Sequence, residues 1–525
     1  MMKNLILFQL FFLHLATHGT QHISKNFISD FYNYSHQAIG NFFYPNTDNP
    51  YATTVATVRT GNQLCDQEKS YTSKRLAVIQ KSLHELGLGA KQGKVPRIAL
   101  VCSGGGYRAM LYTTGVLKAL ENLTLLDTIL YLVGLSGSTW AIATWISSNK
   151  SINEFHDWLI NHINFDLNEF DQTDYMLIER TMARKYWAGQ PIGFSDIYGA
   201  SIASDLFDLF AQEKEKVCLS DQCKMIADGR VPFPIYTAVC GNEGVPENVW
   251  FECTPYEVGA PLLDAYVPTW AFGRKFNNGT SVTYDREQSL GNLLGTFGLA
   301  VGVSVKYLLE DSSIAQNMKS ALFKEIVLKV IKEYGTLRFI TADFWNFTAN
   351  MSDKPFNNKP VLALVDAGLD FNVPYPPISG QRSERTADII IFIDASSTMD
   401  GSALQKAETY ARTHNLLFPI IDYTNLTKQA VSIFTDDNPQ VPVVIYIPRI
   451  IDTDLLESHK NDLPELYEYL KDFDIENCVD DGPCNTFNFF YTAKEARRVT
   501  ALGEFNILLA QKVIKDAIQG KINCI

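Results

Sequence analysis

Two glycine-rich turns contain the residues best suited to nucleophilic chemistry. In the second turn, Ser136 lies within Gly134-Leu-Ser-Gly-Ser138, the G-x-S-x-G pattern in which a sharp strand-to-helix turn projects a serine hydroxyl. The first turn contains Gly104, Gly105 and Gly106, whose N–H groups are unobstructed by side chains and can converge on one point. A serine beside converging N–H donors suits acyl transfer, with the donors forming an oxyanion hole.

Both turns lie in a segment that predicts alternating strands and helices, residues 97–146. Apolar runs at residues 98–102 and 129–133 predict buried strands, and each leads into one of the glycine turns. Apolar side chains at helical spacing follow each turn. This order of elements predicts neighbouring parallel strands joined by a right-handed crossover, and hence an α/β fold.

The two turns resemble the catalytic domain of cytosolic phospholipase A2, which belongs with the fungal lysophospholipases (phospholipase B) to the patatin-like superfamily. Residues 103–110 (Ser-Gly-Gly-Gly-Tyr-Arg-Ala-Met) and 134–140 (Gly-Leu-Ser-Gly-Ser-Thr-Trp) carry the resemblance. Further similar motifs are Ser195-Asp-Ile-Tyr-Gly199, Phe251-Glu-Cys-Thr-Pro-Tyr-Glu-Val-Gly259, Glu287-Gln-Ser-Leu-Gly291, Phe371-Asn-Val-Pro-Tyr-Pro376 and Thr486-Phe-Asn-Phe489. The resemblance implies a patatin-like three-layer α/β/α hydrolase with a central, mostly parallel sheet, a nucleophile elbow and helical insertions.

The resemblance also implies hydrolysis of fatty-acyl esters of glycerophospholipids by a Ser–Asp dyad, with an Asp-x-Gly sequence after a later strand. The apolar run at residues 361–365 ends in Asp366-Ala-Gly-Leu369, so Asp366 is the expected general base. A solvated carboxylate with a pKa of about 3.9 is a weak base, and burial in an apolar cleft would raise that pKa. The alternative role for Asp366 is that of a turn former after a strand.

Two arginines are candidates for binding a substrate phosphate. Arg108 lies at the start of the predicted helix, where a cation is unfavourable without an anionic partner. A phospholipid phosphate would be such a partner, and the resemblance gives the matching arginine that role, whereas a salt bridge to a carboxylate is the structural alternative. Arg382 or Arg385 corresponds to a second phosphate-facing arginine, although the local sequence is shifted by one residue.

Other functions remain open on the sequence alone. An esterase of the α/β-hydrolase type would need a late histidine, and only His414 and His459 follow Asp366. A lipid-binding protein on a hydrolase scaffold without turnover is the alternative outside the enzymes. The glycine loop matches neither nucleotide-binding pattern, and the expected chemistry requires no metal or organic cofactor.

Composition and charge limit the partners. The 525 residues are 46% hydrophobic, and the formal net charge is −13. Such a charge disfavours nucleic acid and simple electrostatic docking on anionic lipid. The expected partners are therefore a glycerophospholipid or lysophospholipid substrate and, transiently, a membrane or micelle surface.

The chain is expected to comprise three segments. Residues 1–19 have a basic start at Lys3 followed by a short apolar run, which predicts a signal peptide and a secreted or lumenal protein. Residues 20–95 contain no chemical motif and lack the Asp-rich loops of a calcium-dependent membrane module, so we expect them to wrap around the catalytic domain. Residues 96–525 form that domain.

The cysteines show no metal-ligand spacing. Cys218 with Cys223, and Cys478 with Cys484, are close enough in sequence for local disulfides in an oxidising compartment. Cys102 lies inside the predicted central strand, where we expect a free, buried thiol.

Overall fold

The computed structural model describes residues 49–89, 95–163, 172–240, 248–300, 341–480 and 482–524. Its strands in chain order are β1 Arg59–Thr60, β2 Ile98–Cys102, β3 Tyr131–Gly134, β4 Phe233–Cys240, β5 Val249–Cys253, β6 Glu257–Ala260, β7 Ala265–Pro268, β8 Phe276–Asn277, β9 Thr280–Ser281, β10 Ala342–Trp345, β11 Val361–Asp366, β12 Ile389–Asp394, β13 Ser432–Phe434 and β14 Val443–Pro448. The α-helices are α1 Asp66–Glu85, α2 Gly106–Asn122, α3 Gly137–Ser148, α4 Ile152–His162, α5 Gln172–Trp187, α6 Phe194–Leu206, α7 Gln222–Ile226, α8 Leu290–Phe297, α9 Ser402–Thr413, α10 Thr453–Ser458, α11 Pro464–Leu470, α12 Ile475–Asp480 and α13 Ala493–Cys524.

A mixed sheet of twelve strands forms the centre of the described residues. Its main order is β1-β7-β6-β5-β4-β3-β2-β12-β14-β13, and β11, with β10 beyond it, pairs with β4. Parallel pairing is confined to the adjacent strands β4, β3, β2, β12 and β14, and all other pairs are antiparallel. The α/β class is thus confirmed. The sheet is mixed, with a parallel centre flanked by antiparallel strands, whereas the resemblance implied a mostly parallel sheet.

The parallel strands are buried along their length because helices cover them. Every residue of β2 and of β3 is buried, which fits their nearly continuous apolar sequences. The helix α2 follows β2 and packs along the long C-terminal helix α13. The helices α6 and α8 pack against each other, and α8 also contacts α3, the helix that begins after Ser136. The two predicted strands and the crossover between them are therefore present, and the glycine turns lie at the carboxyl ends of neighbouring strands, where α/β folds place their sites.

Strand β4 brings two distant parts of the chain together. One edge of β4 pairs with β5 over residues 236–240, so β3 and β11 must share the other edge. On that edge β3 ends at Gly134 opposite Tyr236, and β11, running the opposite way, ends at Asp366 opposite Ala238. The carboxyl ends of β3 and β11 consequently meet about two residues apart, or roughly 7 Å along β4.

The segment before the first parallel strand is attached to the sheet. Strand β1 pairs with β7, and the buried guanidinium of Arg75 in α1 donates to the carbonyls of Leu126, Ile129 and Gly229. The division at residue 95 stays a prediction, and residues 1–19 lie outside the described residues. None of the described helices is both long and apolar enough to cross a membrane.

The cysteines follow the expectation in part. Cys478 and Cys484 form a disulfide, and Cys102 is a free, fully buried thiol, as predicted. Cys218 and Cys223 are both free: the Cys218 thiol donates to the Lys216 carbonyl, whereas the Cys223 thiol donates to that of Pro255. Closeness in sequence alone therefore does not predict pairing, because the two side chains are directed at different acceptors.

Candidate active site

Ser136 occupies a strained turn between β3 and α3. Its backbone has φ 52° and ψ −125°, a conformation that non-glycine residues rarely adopt and that is typical of a nucleophile elbow. The N–H and hydroxyl groups of Thr139 both donate to the Ser136 carbonyl and hold the turn. Ser136 is only 8% exposed and lies at the N-terminal end of a buried, apolar helix.

Asp366 ends β11 and is 1% exposed. Burial raises the pKa of its carboxyl group to about 6, although hydrogen bonds from the Gly368 N–H, the Ser136 side chain and the Ala300 N–H pull it down. The Gly368 N–H lies 2.8 Å from the carboxylate. A carboxylate with a pKa near neutrality that interacts with a serine hydroxyl is suited to general-base catalysis.

A cluster of aromatic side chains reaches Asp366 through Tyr198. Tyr107, Trp140, Tyr198 and Phe489 pack edge to face with ring centroids 5.6–6.1 Å apart. Tyr198 lies close enough to Asp366 for the carboxylate charge to add to the effect of burial in raising the tyrosine pKa. Burial beside this cluster disfavours the charged carboxylate, which accounts for the raised pKa of the aspartate.

The glycine loop lies directly against the nucleophile. A methyl group on Gly104 would lie 2.9 Å from the Ser136 Cβ, and Gly105 has φ 144°, a conformation open to glycine alone. The Gly104 N–H donates to the Asn372 carbonyl at 3.4 Å. Gly105 and Gly106 precede and begin α2, where helical geometry provides no acceptor for the N–H groups. Of the three predicted donors, these two remain suited to an oxyanion.

Arg108 has protein partners in place of a phosphate. Its fully buried guanidinium donates to the carbonyls of Ala395 and Cys484 and to the Thr486 hydroxyl. Burial, with the nearby Arg449, lowers its pKa to about 10, so it stays charged at neutral pH. The side chain ties the first turn of α2 to the segment at residues 484–486, and it does not face open space.

Arg382 also lies away from the dyad. Its guanidinium donates to Glu252 at 2.8 Å and to Glu257 at 2.9 Å, stacks on the Tyr266 ring and is 2% exposed. The neighbouring Arg385 binds Glu252 and Glu68 in the same buried network. These arginines join β5 and β6 to the N-terminal segment through buried hydrogen bonds and ion pairs.

One cluster in the described residues has ligand atoms close enough for a metal ion. The Cys65 thiol and the carboxylates of Glu68 and Glu257 lie within 4.8 Å of one another. Arg385 binds one of these carboxylates, whereas Arg59 and Arg382 bind the other. The buried negative charges are therefore already compensated by guanidinium groups.

The histidines required by a triad are occupied elsewhere. The Nδ1 atom of His414 lies 2.9 Å from the Tyr410 carbonyl, and that of His459 lies 2.8 Å from the Leu455 carbonyl. His459 lines a separate pocket of about 400 Å³ between α10 and α13. Within the described part of the chain, the groups that act on Asp366 include no histidine.

Several residues at the site received no role from the sequence. Tyr198, Asn372 and Thr486 lie in motifs that the resemblance marked, but the motifs alone did not say what these side chains contact. No sequence pattern pointed to Ala300, because it acts on Asp366 through its backbone N–H. Their positions depend on which elements pack together, which a local pattern does not record.

The fold is shared with solved structures. Human GIVD cytosolic phospholipase A2 superposes with a TM-score of 0.76 at 22% identity, covering 89% of this chain and 68% of that one. A second structure, of the human GIVD enzyme in complex with methyl γ-linolenyl fluorophosphonate, gives a TM-score of 0.69 at 24% identity and covers 89% and 66%. At this level of identity the likeness shows the fold alone.

The similar curated proteins overturn one expectation. Human cytosolic phospholipase A2 zeta is 26% identical over 88% of this chain, and human cytosolic phospholipase A2 epsilon is 25% identical over 88%. The chain spans only 62% and 60% of their respective lengths. Because these relatives are named cytosolic, the prediction of a signal peptide and a secreted protein is wrong. A lysine before a short apolar run is too general a pattern to predict a signal peptide.

The family itself is settled by a match along most of the sheet. Residues 98–448 match the lysophospholipase catalytic domain, PLA2_B. The match begins at β2, contains both glycine turns and Asp366, and ends with β14. The chain therefore belongs to the lysophospholipase catalytic domain family.

Proposed function

We propose that this chain is a phospholipase or lysophospholipase that hydrolyses fatty-acyl esters of glycerophospholipids with Ser136 and Asp366 as its dyad. One observation carries the proposal: β3 and β11 end on the same edge of β4, which brings a strained serine to a buried aspartate with a pKa of about 6. The glycine loop lies against the same serine. The relatives are named phospholipases A2, which supports the substrate class.

The reaction proceeds through an acyl-serine intermediate. Ser136 Oγ attacks the ester carbonyl carbon while Asp366 accepts the hydroxyl proton. The N–H groups of Gly105 and Gly106 stabilise the resulting oxyanion. When the bond to the glycerol oxygen breaks, Asp366 returns the proton to the departing alcohol. Water, deprotonated by Asp366, then attacks the acyl-serine and releases the fatty acid, and the proton returns to Ser136.

The surface around the site suits a zwitterionic membrane or micelle. Phe487 is 50% exposed, Phe490 42% and Leu369 48%, although apolar side chains of this size are usually buried. The two phenylalanines follow Thr486, whose carbonyl oxygen would lie 2.5 Å from a methyl group on Gly106. Leu369 lies three residues after Asp366. The net charge of −13 favours lipids without net negative charge. These side chains would enter the lipid surface beside the dyad.

The test of the proposed activity is fatty-acid release from lysophosphatidylcholine and phosphatidylcholine by the wild type and by Ser136→Ala. We expect release by the wild type, no release by Ser136→Ala, and an unchanged rate when a chelator is present. A fluorophosphonate probe should label the wild type and leave Ser136→Ala unlabelled. If the wild type binds the lipid and the lipid is recovered unchanged, the proposed enzyme activity is wrong and the chain is a lipid-binding protein.

A second measurement tests the lipid surface. Phe487→Ser and Phe490→Ser should lower binding to phosphatidylcholine vesicles and hydrolysis of vesicle lipid. Their rates on a short-chain substrate dissolved as monomers should match the wild type, since neither side chain belongs to the dyad. Ile420→Ser is the matched control, because Ile420 is 76% exposed on a loop and belongs to neither dyad turn. Equal losses on both substrates would contradict the proposed surface.

A further inference from the structure

Asn372 lies between the turn that carries Asp366 and the glycine loop. Its side-chain amide nitrogen lies 3.1 Å from the Gly104 carbonyl and 2.6 Å from the Ser396 hydroxyl. Its own backbone carbonyl accepts the Gly104 N–H at 3.4 Å. One residue, six positions after Asp366, therefore binds both polar groups of the first loop glycine.

The orientation of the Asn372 amide is fixed by its neighbours. The Ser396 hydroxyl donates to Asp394 at 2.5 Å, and the other oxygen of that carboxylate accepts the Tyr446 hydroxyl at 2.7 Å. The Ser396 oxygen must consequently accept from Asn372, as must the Gly104 carbonyl. Both contacts require the NH₂ group, so the amide cannot be flipped without losing two hydrogen bonds.

Holding the Gly104 carbonyl also determines where the next N–H points. The peptide between Gly104 and Gly105 is planar and trans, so its carbonyl and its N–H are directed oppositely. The Gly105 N–H is one of the two donors left for the oxyanion. The Ser103 hydroxyl also donates to the Gly104 carbonyl, at 3.4 Å, whereas the Asn372 amide nitrogen lies closer, at 3.1 Å. Because Gly105 has φ 144° and no side chain, these two hydrogen bonds hold the peptide plane, and Asn372 makes the shorter one.

We propose that Asn372 is a positioning residue of acyl transfer, which fixes the Gly104–Gly105 peptide so that the Gly105 N–H faces the developing oxyanion. The inference rests on the proposed function and adds to it a residue that does not touch the reacting atoms. Since Asn372 and Asp366 share one short segment, the same residue also keeps the oxyanion donor in register with the general base.

The decisive variant is Asn372→Asp, which keeps the shape of the side chain and removes both N–H donors. We expect kcat for a monomeric ester to fall about 100-fold, the loss typical of a small misplacement of catalytic groups, with little change in KM. Binding of an acyl trifluoromethyl ketone, which forms a tetrahedral adduct with the serine, should weaken by a similar factor. Binding of ether-linked lysophosphatidylcholine, which has no ester carbonyl, should be unchanged.

Asn346→Asp is the matched control. Asn346 is 1% exposed, and its amide donates to the carbonyls of Phe356 and Lys359 in a loop remote from the dyad. This variant should lose thermal stability and retain kcat. Ser396→Ala removes the second acceptor of Asn372 and should lower kcat about tenfold. If Asn372→Asp does not fold, this variant tests whether Asn372 positions the oxyanion donor.

The outcomes separate the inference from the proposed function. A wild type that neither releases fatty acid nor binds the ketone overturns the function itself. An active wild type with Asn372→Asp and Ser396→Ala equal to it in kcat overturns only the role of Asn372. Parallel loss of ketone and ether-lipid binding would show that Asn372 merely supports the fold.

Discussion

The proposed nucleophile and the proposed general base are positioned by different parts of the chain. Ser136 and the glycine loop come from one continuous unit, β2-α2-β3-α3, in which successive parallel strands end at the same edge of the sheet. Asp366 comes from β11, which runs antiparallel to β4 and ends where β3 leaves that edge free. The first arrangement is local in sequence, and the second depends on a long-range pairing.

This difference explains what each part of the site requires. The nucleophile turn holds its own strain, because φ 52° at Ser136 is fixed by hydrogen bonds within the next three residues. The base depends on its surroundings, since burial raises the pKa of Asp366 while hydrogen bonds from Gly368, Ser136 and Ala300 lower it. Substitutions can therefore damage the two parts separately.

The largest loss should come from Asp366→Asn. Asparagine is close in shape but cannot accept the Ser136 proton, so we expect kcat to fall about 10⁴-fold, as when one member of a catalytic unit is removed. Thermal unfolding should confirm that the variant is folded. Asp370→Asn is the matched control. Asp370 lies four residues after Asp366 and accepts a hydrogen bond from the Trp250 indole, so this variant should retain nearly full kcat. Substantial activity in Asp366→Asn would place the base elsewhere.

A smaller loss is expected when the nucleophile part is changed at Gly104. A methyl group there would lie 2.6 Å from Leu135 Cδ2 and 2.8 Å from the Asn372 amide oxygen, so the loop must move. Loss of one oxyanion donor costs about 10²–10³ in kcat, and Gly104→Ala should fall in this range. Gly520→Ala in α13 has open space around it and should leave kcat unchanged. A Gly104→Ala enzyme with normal kcat would remove the loop from the mechanism.

The same difference decides what the sequence could predict. The predicted strand at residues 98–102 coincides with β2, and Ser136 has the expected elbow, because apolar runs and glycine turns are local signals. Asp366 was found only through the resemblance, since no local pattern records that β11 pairs with β4. Phosphate binding by Arg108 and Arg382 stays a prediction, and the sequence could not show their carbonyl and carboxylate partners, which lie far away along the chain.

The pH dependence should report the environment of the base. Asp366 must be ionised to accept a proton, so with a pKa of about 6 the value of kcat/KM should fall about tenfold from pH 7 to pH 5. The raised pKa has the opposite effect on stability. The folded state binds the Asp366 proton more tightly than the unfolded chain does. The stabilisation of the fold by this proton is therefore complete below pH 3.8 and is lost as pH rises through about 6.

A second carboxyl group with a raised pKa, that of Glu287, is the control for this profile. Burial raises the pKa of Glu287 to about 7, and its carboxylate binds Ser220 away from the dyad. Glu287→Gln should keep the acidic limb of the activity profile, since Asp366 is untouched. If Glu287→Gln removes that limb, the fall in activity reports loss of structure and not titration of the base.

The smallest effect on activity is expected from Arg382→Met, although its effect on stability should be large. Removing the guanidinium leaves Glu252 and Glu257 with fewer buried partners, which should destabilise the fold by about 3–5 kcal/mol in chemical denaturation. If Arg382 bound the substrate phosphate, KM for lysophosphatidylcholine would rise while KM for an uncharged ester would not. The buried network predicts that both KM values stay at the wild-type level in the folded enzyme. A rise in KM for lysophosphatidylcholine alone would show that Arg382 binds the substrate phosphate.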